Sequence, residues 1–421
     1  MSGVGLGGTT PPDPPDRSTF AGLWRELEPL GRDTGTGGYR RYSWTPADAA
    51  CRAWFTRQAE KRGLTVETDN NGNLWAWWGP KTADAVVTGS HLDSVPDGGG
   101  FDGALGVVTA LAAVDLLQQK TFDTERSVVL AVFTEEEGAR FGVPCLGSRL
   151  LTGAVDPDAA RALADDTGTT LAEAMTAAGH DPGRLGARDD LLDGIGAAVE
   201  LHVEQGRALA PMGAAVGLAE GIWPHGRWRL EFRGQADHAG TARLADRQDP
   251  MLAYAHAVLA ARHAAADHGS LATFGKVIAE PNGSNAVCSA VRAWLDARAP
   301  DEATLQRTVT LVRSAAERSC ASNGVTLSVR QESYTPLVRF DQGLRDRIAG
   351  VLAAAGVQAP VLPTGAGHDA GVLAARVPTA MLFVRNPTGI SHSPAEHAEL
   401  ADCEAGVRAL AAVLADLAGP R

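Results

Sequence analysis

Ser127 to Phe133 reads S-V-V-L-A-V-F, an apolar run closed at once by Thr134-Glu135-Glu136-Glu137-Gly138. A strand with one wet face alternates polar and apolar residues. A run with no polar interruption is covered on both faces, so this stretch predicts a central strand of a layered sheet. Two further runs follow the same rule. Ala85-Val86-Val87 leads through Thr88-Gly89-Ser90 to His91-Leu92-Asp93, and Gly196 to Val203 (G-A-A-V-E-L-H-V) runs into Glu204-Gln205-Gly206. A Gly-rich turn (Asp97 to Gly100) and Phe101-Asp102-Gly103 separate the first of these from a helical pattern over 104–119. Apolar strands alternating with helices predict an α/β sheet, and ligands gather at the strand ends of such sheets.

The remaining texture divides the chain. Helices are expected over 19–32 and over 46–63, the second opened by Pro46 and closed by Gly63. Strands over 64–68 and 73–78 flank the turn Asp69-Asn70-Asn71-Gly72 and predict a hairpin. Residues 145–180 read as broken helix. From about 217 the pattern changes. Trp228 to Arg233 alternates with period two; a helix (249–268), two strands (271–279 and 291–298), a helix (301–322) and a strand (325–332) follow. That order, β-α-β-β-α-β, is ferredoxin-like. The α/β texture resumes with a helix over 341–355, a strand over 379–384 and a last helix over 402–418. We therefore expect an α/β domain in two pieces, 19–216 and 331–421, with an α+β domain inserted at 217–330. Gly and Pro dominate residues 1–18, which lack the basic and apolar regions of a signal peptide and are expected to be a disordered tail.

Composition removes several classes of function. The chain carries a net charge of -12 and a mean hydropathy of -0.09, which opposes binding to nucleic acid or to anionic membranes. No run approaches the roughly 18 apolar residues of a membrane span. Five scattered cysteines with no C-x-x-C pair suit a reducing compartment, and the cytoplasm is the expected location.

Polar residues recur where the apolar strands end: His91 and Asp93, Asp102, Glu136 and Glu137, His202, and Ser391-His392. Imidazole and carboxylate suit zinc and similar divalent ions. Two such ions with incomplete ligand shells would leave room for water. Asp93, two residues beyond His91, suits the role of accepting the imidazole's other N–H. Within Glu135-Glu136-Glu137, one carboxylate can ligate while its neighbour stays free as a general base. Arg298, at a strand end, offers a planar fork for a substrate carboxylate, with Asn285 thirteen residues before it. His238 and His368 are isolated histidines.

Seven blocks occur in order: G-S-H-L-D-S-V with G-G-x-F-D-G, T-E-E-E-G-A-R-F, E-L-H-V-E-Q-G, D-H-A-G-T, N…L-D-x-R, G-A-G-H-D-A and G-I-S-H-S-P-A-E. Together they resemble the M20 metallopeptidase-like amidohydrolases, in the branch of allantoate amidohydrolases, N-carbamoyl-L-amino-acid hydrolases and β-ureidopropionases. The likeness covers about residues 20–418. It implies a zinc-peptidase-like α/β catalytic domain, a mixed sheet flanked by helices, with a ferredoxin-like lid through which two subunits pair as a homodimer. It implies two divalent ions per subunit, zinc or else manganese, cobalt or nickel. One would be held by His91, Asp102 and His202, the other by the bridging Asp102 with Glu137 and His392. Glu136 matches the catalytic base and Asp93 its supporting carboxylate. His238 would steady the transition state. Gln205, His238, Asn285, Arg298, His368, Gly389 and Ser391 fall at substrate-binding positions.

The implied reaction is hydrolysis of the terminal ureido C–N bond of a small carboxylated substrate, allantoate or an N-carbamoyl-L-amino acid, with release of ammonia and CO2. Two departures bear on the substrate: Ala242-Arg243-Leu244 follows the D-H-A-G-T block where relatives often have Thr-Pro-Met, and Trp223-Pro224-His225-Gly226-Arg227-Trp228 is unusual. An N-formyl or N-acyl amino acid deacylase or a dipeptidase of the same fold is the alternative enzyme. A catalytically silent binding protein should have lost a ligand or the base, and here those positions are filled.

Overall fold

A computed structural model describes residues 19–419; the expected tail, residues 1–18, lies outside the described residues. The chain divides into two compact units, one of residues 19–219, 340–362 and 367–419, the other of Glu220–Arg339 with Pro363–Ala366.

The first unit begins with helix Phe20–Leu27, capped by the Thr19 side chain. It is shorter than expected because Pro29 has no N–H to extend the ladder. Helix Pro46–Lys61 follows, with Thr45 as its cap and Pro46 in its first turn. Strands β1 (Thr65–Thr68) and β2 (Leu74–Trp78) form the expected antiparallel hairpin. Next come β3 (Ala85–His91), helix Ala104–Gln119, β4 (Val128–Phe133), three short helices between Leu146 and Ala177, β5 (Ile195–Val203) and β6 (Val216–Ile222).

The second unit holds β7 (His225–Arg233), β8 (Asp237–His238), β9 (Leu271–Glu280), β10 (Ala286–Val287), β11 (Ala290–Arg298), β12 (Thr326–Thr335) and β13 (Val338–Arg339). The chain then returns through helix Gln342–Ala354, β14 (Val361–Thr364), β15 (Thr379–Val384) and helix Leu400–Ala418.

In the first unit the sheet runs β1-β2-β4-β3-β5-β15-β6. The pairs β3–β4, β3–β5 and β5–β15 are parallel, and the flanking pairs are antiparallel. The reading of β4 as buried on both faces is met residue by residue. Val128, Leu130 and Val132 join one core with Ala104–Gln119 and Leu400–Ala418, while Val129, Ala131 and Phe133 join another with Leu151, Leu373 and Val377. Parallel pairing sends the C-terminal ends of β3, β4, β5 and β15 to one edge of the sheet. His91 lies opposite Phe133, and His202 opposite Phe383.

In the second unit the four main strands run β12-β7-β11-β9, all antiparallel, with helices Pro250–His268 and Glu302–Ser322. This is the ferredoxin-like order. Along β7, Gly226, Trp228, Leu230 and Phe232 are buried and alternate with more exposed positions, as the period-two pattern requires. Trp228 is therefore a core residue of this unit. The unit's limits differ from the expected 217–330. Val216 to Leu218 pair with β15, which holds them in the first unit, while β12 continues to Thr335. The unit's second piece, 363–366, was not legible in the sequence. It is attached by Thr364, whose carbonyl accepts the Trp223 N–H at 2.8 Å, and by Gly365, whose carbonyl accepts Arg298 Nη1 at 2.6 Å. Among the described residues no helix is long and apolar enough to cross a membrane.

Candidate metal centre and active site

His91 is the last residue of β3 and His202 the penultimate residue of β5. Both are buried to about 1% exposure or less. Their Nδ1 atoms lie 3.1 Å from the Asp93 carbonyl and 2.9 Å from the Val203 carbonyl. Those contacts turn Nε2 of each ring toward Asp102, whose Oδ1 is 3.7 Å from His91 and 3.2 Å from His202. Asp102 presents its other oxygen elsewhere. Oδ2 lies 3.3 Å from His392 Nε2, which is 3.5 Å from Glu137 Oε2. One carboxylate thus faces two histidine sets with separate oxygens. In each triad, His91/Asp102/His202 and Asp102/Glu137/His392, the donor atoms lie within 4.8 Å of one another.

The residues present fit divalent cations. Oε1 of Glu137 is buried with no hydrogen-bond partner, a costly arrangement unless a cation or solvent meets it. Burial and the neighbouring Asp102 charge push the Glu137 carboxyl up to about 7. Burial also drives Glu136 well above the usual carboxylate range, against the pull of His91. Asp102 goes the other way: burial opposes its charge, but the hydrogen bonds from His202, His392 and His91 hold it well below the usual range. The Asp102 contact, ahead of opposing burial, raises His392 to about 9. In a site without cations, protons held on these carboxyls and on the imidazoles limit the buried negative charge; divalent ions would take over that task. A third grouping, Glu200/His202/His368, fits an ion poorly. Both Glu200 oxygens are engaged, one by Ser90 Oγ at 2.7 Å and one by the Ala370 N–H at 2.9 Å.

The turn after β3 is shaped by Gly103, at φ +65, whose N–H lies 3.1 Å from His202 Nε2. A side chain there would run into the His91 ring, so glycine is required on both counts. The turn after β4 is held by Asp93. Its Oδ1 accepts the Glu136 N–H at 3.2 Å and its Oδ2 the Glu137 N–H at 3.1 Å. Asp93 supports the acidic turn as well as His91, whose Nδ1 is 3.5 Å from Oδ1. Glu136 stands beside the cluster but in neither triad, with Oε2 at 3.7 Å from His91 Nε2.

Gln205 and Ser391 are placed at the cluster, though against a ligand: Gln205 Nε2 donates to Asp102 Oδ2 at 2.9 Å, and Ser391 Oγ lies 3.4 Å from it. Gly389, at φ +71, closes a turn in which its N–H donates to Asn386 Oδ1. His368 is buried with its ring 4.5 Å from that of His202. In the second unit, β8 pairs with β10 and sets His238 opposite Ala286, beside Asn285. Both side chains are exposed. Arg298 is tied to Asp296 through Nε at 2.8 Å and Nη2 at 3.2 Å, so one edge of its fork is already engaged.

Sequence reasoning missed Glu396. It is buried; its Oε2 accepts the N–H groups of Phe101 and Asp102 at 2.9 and 3.0 Å, and its Oε1 accepts Ser391 Oγ at 3.0 Å. It clamps the Asp102 turn to the His392 segment. The available signal was its place four residues after His392, at the end of the G-I-S-H-S-P-A-E block.

The profile of peptidase family M20/M25/M40 matches residues 87–416. The chain belongs to this family. It is 33% identical to the N-carbamoyl-L-amino acid amidohydrolase of Geobacillus stearothermophilus over 393 residues, covering 92% of this chain and 96% of the relative. It is 31% identical to the allantoate amidohydrolase of Escherichia coli (strain K12), covering 93% and 96%. Among solved structures it is similar to an amidase of the hydantoinase/carbamoylase family from Burkholderia vietnamiensis, with a TM-score of 0.86, 30% identity, and 95% and 97% of the two chains covered. The M20/M25/M40 family is metal-dependent, and both triads above lie within the matched segment.

Proposed function

We propose that this protein is an amidohydrolase that cleaves the terminal ureido C–N bond of allantoate or an N-carbamoyl-L-amino acid, releasing ammonia and CO2. The observation that carries the reading is Glu136: a buried carboxylate 3.7 Å from His91 Nε2 and part of neither ligand triad. Two divalent ions per subunit, zinc or else manganese, cobalt or nickel, would be held by His91, Asp102 and His202 and by Asp102, Glu137 and His392. When bound, they supply Lewis acidity, which lowers the pKa of water and steadies negative charge on a carbonyl oxygen.

The chain's own residues do the rest. Glu136 accepts a proton from water as that water attacks the carbamoyl carbon. The tetrahedral intermediate collapses when Glu136 passes the proton to the departing nitrogen, which leaves as ammonia. The carbamic acid that remains loses CO2 unaided. Asp93 holds the Glu136 backbone and the His91 ring in place. His238 steadies the oxyanion, while Arg298, Asn285, Gln205, His368, Gly389 and Ser391 orient the substrate and its carboxylate. The family resemblance supports these roles.

The second unit serves as lid and as the contact between two subunits of a homodimer. Exposed Leu271, Val277 and Ile278 on the sheet-edge strand β9, and exposed Met251, Leu252 and Leu259 on the neighbouring helix, support this. Five free, buried cysteines support the cytoplasm as location.

A product screen tests the activity. Metal-stripped protein is reloaded with each ion and offered allantoate, N-carbamoyl-L-amino acids, 3-ureidopropionate and N-formyl amino acids. Metal-dependent ammonia release from a ureido acid is the expected result. Formate or free amino acid released without ammonia would transfer the assignment to the deacylase or dipeptidase reading.

A further inference from the structure

We infer that Cys145 positions the general base: its thiol holds one oxygen of Glu136 and leaves the other to handle the proton. This rests on the reading of Glu136 as base and extends it to a residue that touches neither substrate nor metal ligand.

Three backbone hydrogen bonds run in series between the acidic turn and the segment that enters helix Leu146–Leu151. Cys145 N–H donates to the Glu136 carbonyl at 2.6 Å, Leu146 N–H to Glu135 at 3.0 Å, and Gly147 N–H to Thr134 at 2.9 Å. This strip brings Cys145 beside Glu136 whatever its side chain does. The side chain then adds a contact of its own, with Sγ 3.3 Å from Glu136 Oε1. The remaining oxygen, Oε2, is the one turned to His91.

Cys145 adopts φ +54 and ψ +36, a left-handed backbone that glycine occupies more easily than any residue with a Cβ. A residue kept at a strained position beside a reactive group invites a functional account. Burial, then the nearby Glu136 and Asp369 charges, drives the thiol well above its ordinary range. It therefore stays an S–H donor wherever the enzyme works. A thiol is a weak donor, sufficient to fix a rotamer while leaving the carboxylate basic. Without it, rotation about the last bond of Glu136 lets either oxygen face the reaction, and the base spends less time in the productive orientation.

Two experiments test this. In metal-loaded protein, Cys145→Ala should lower kcat roughly ten- to a hundredfold with KM and metal content unchanged, and Cys145→Ser, which restores a donor, should recover most of the loss. Wild-type kcat in Cys145→Ala overturns the proposal, as does equal impairment of both variants, which would make the effect one of packing. Independently of activity, the S–H stretching band that disappears in Cys145→Ala should move to higher frequency in Glu136→Ala, where the acceptor is gone. An unmoved band overturns the contact itself. If Glu136→Gln instead kept full turnover, the base assignment would fail while the infrared result stood, so the two failures are distinguishable.

Discussion

Glu136 and Glu137 are adjacent in sequence, buried together and steadied by the same Asp93 carboxylate, yet only Glu137 meets His392. Their division of labour follows from which way each side chain leaves the turn. Glu136→Gln should therefore retain its metal content while kcat falls roughly a hundred- to ten-thousandfold; kinetics beside elemental analysis on one preparation checks this, and near wild-type turnover would remove Glu136 as the base. Arg298 carries a different expectation. A lysine there keeps the charge but loses the planar fork, so KM for carboxylated substrates should rise roughly tenfold or more with little change in kcat. An unchanged KM across the ureido acids would mean that its ties to Asp296 and to the Gly365 carbonyl are its whole role.

At the scale of elements, the site is a set of strand ends and turns assembled by parallel pairing. The strands and the His91, Glu136/Glu137 and His202 positions were legible because two-sided burial writes an unbroken apolar run, and polar residues stand out where it stops. The ferredoxin-like unit was legible because one wet face writes a period of two. What could not be read were the contacts between distant turns. The Glu396 clamp spans 294 residues to the Asp102 N–H, and no periodicity encodes that. The ties of segment 363–366 to Trp223 and Arg298 were invisible for the same reason. Asp93 was expected to accept the other N–H of His91 through its carboxylate; Nδ1 lies nearer its backbone carbonyl (3.1 Å) than its Oδ1 (3.5 Å), and its hold on the acidic turn depends on register between β3 and β4. The clamp has a measurable consequence. Glu396→Ala should release the Asp102 turn from the His392 segment and weaken metal binding by roughly ten- to a hundredfold, measured by equilibrium dialysis; unchanged affinity would make Glu396 a packing residue.

On the scale of the whole molecule, the carboxylates and histidines of the metal centre link stability to pH. Glu137 is pushed up to about 7 and His392 to about 9, both above their unfolded values. The folded metal-free protein thus holds more protons than the unfolded chain. Their stabilising effect is complete below the unfolded values and is lost as pH rises through about 7 and then about 9. Bound cations displace those protons. The rise in Tm on adding metal should consequently grow between pH 6 and pH 8.5, as followed by scanning calorimetry. A rise that shrank over that interval would contradict the linkage. The most direct test of the centre itself is an anomalous-difference map from crystals of the metal-loaded protein. Two peaks are expected, one among His91, Asp102 and His202 and one among Asp102, Glu137 and His392, with Glu136 bound to neither. A peak ligated by Glu136, or fully loaded protein with no peak at Asp102, would contradict this assignment.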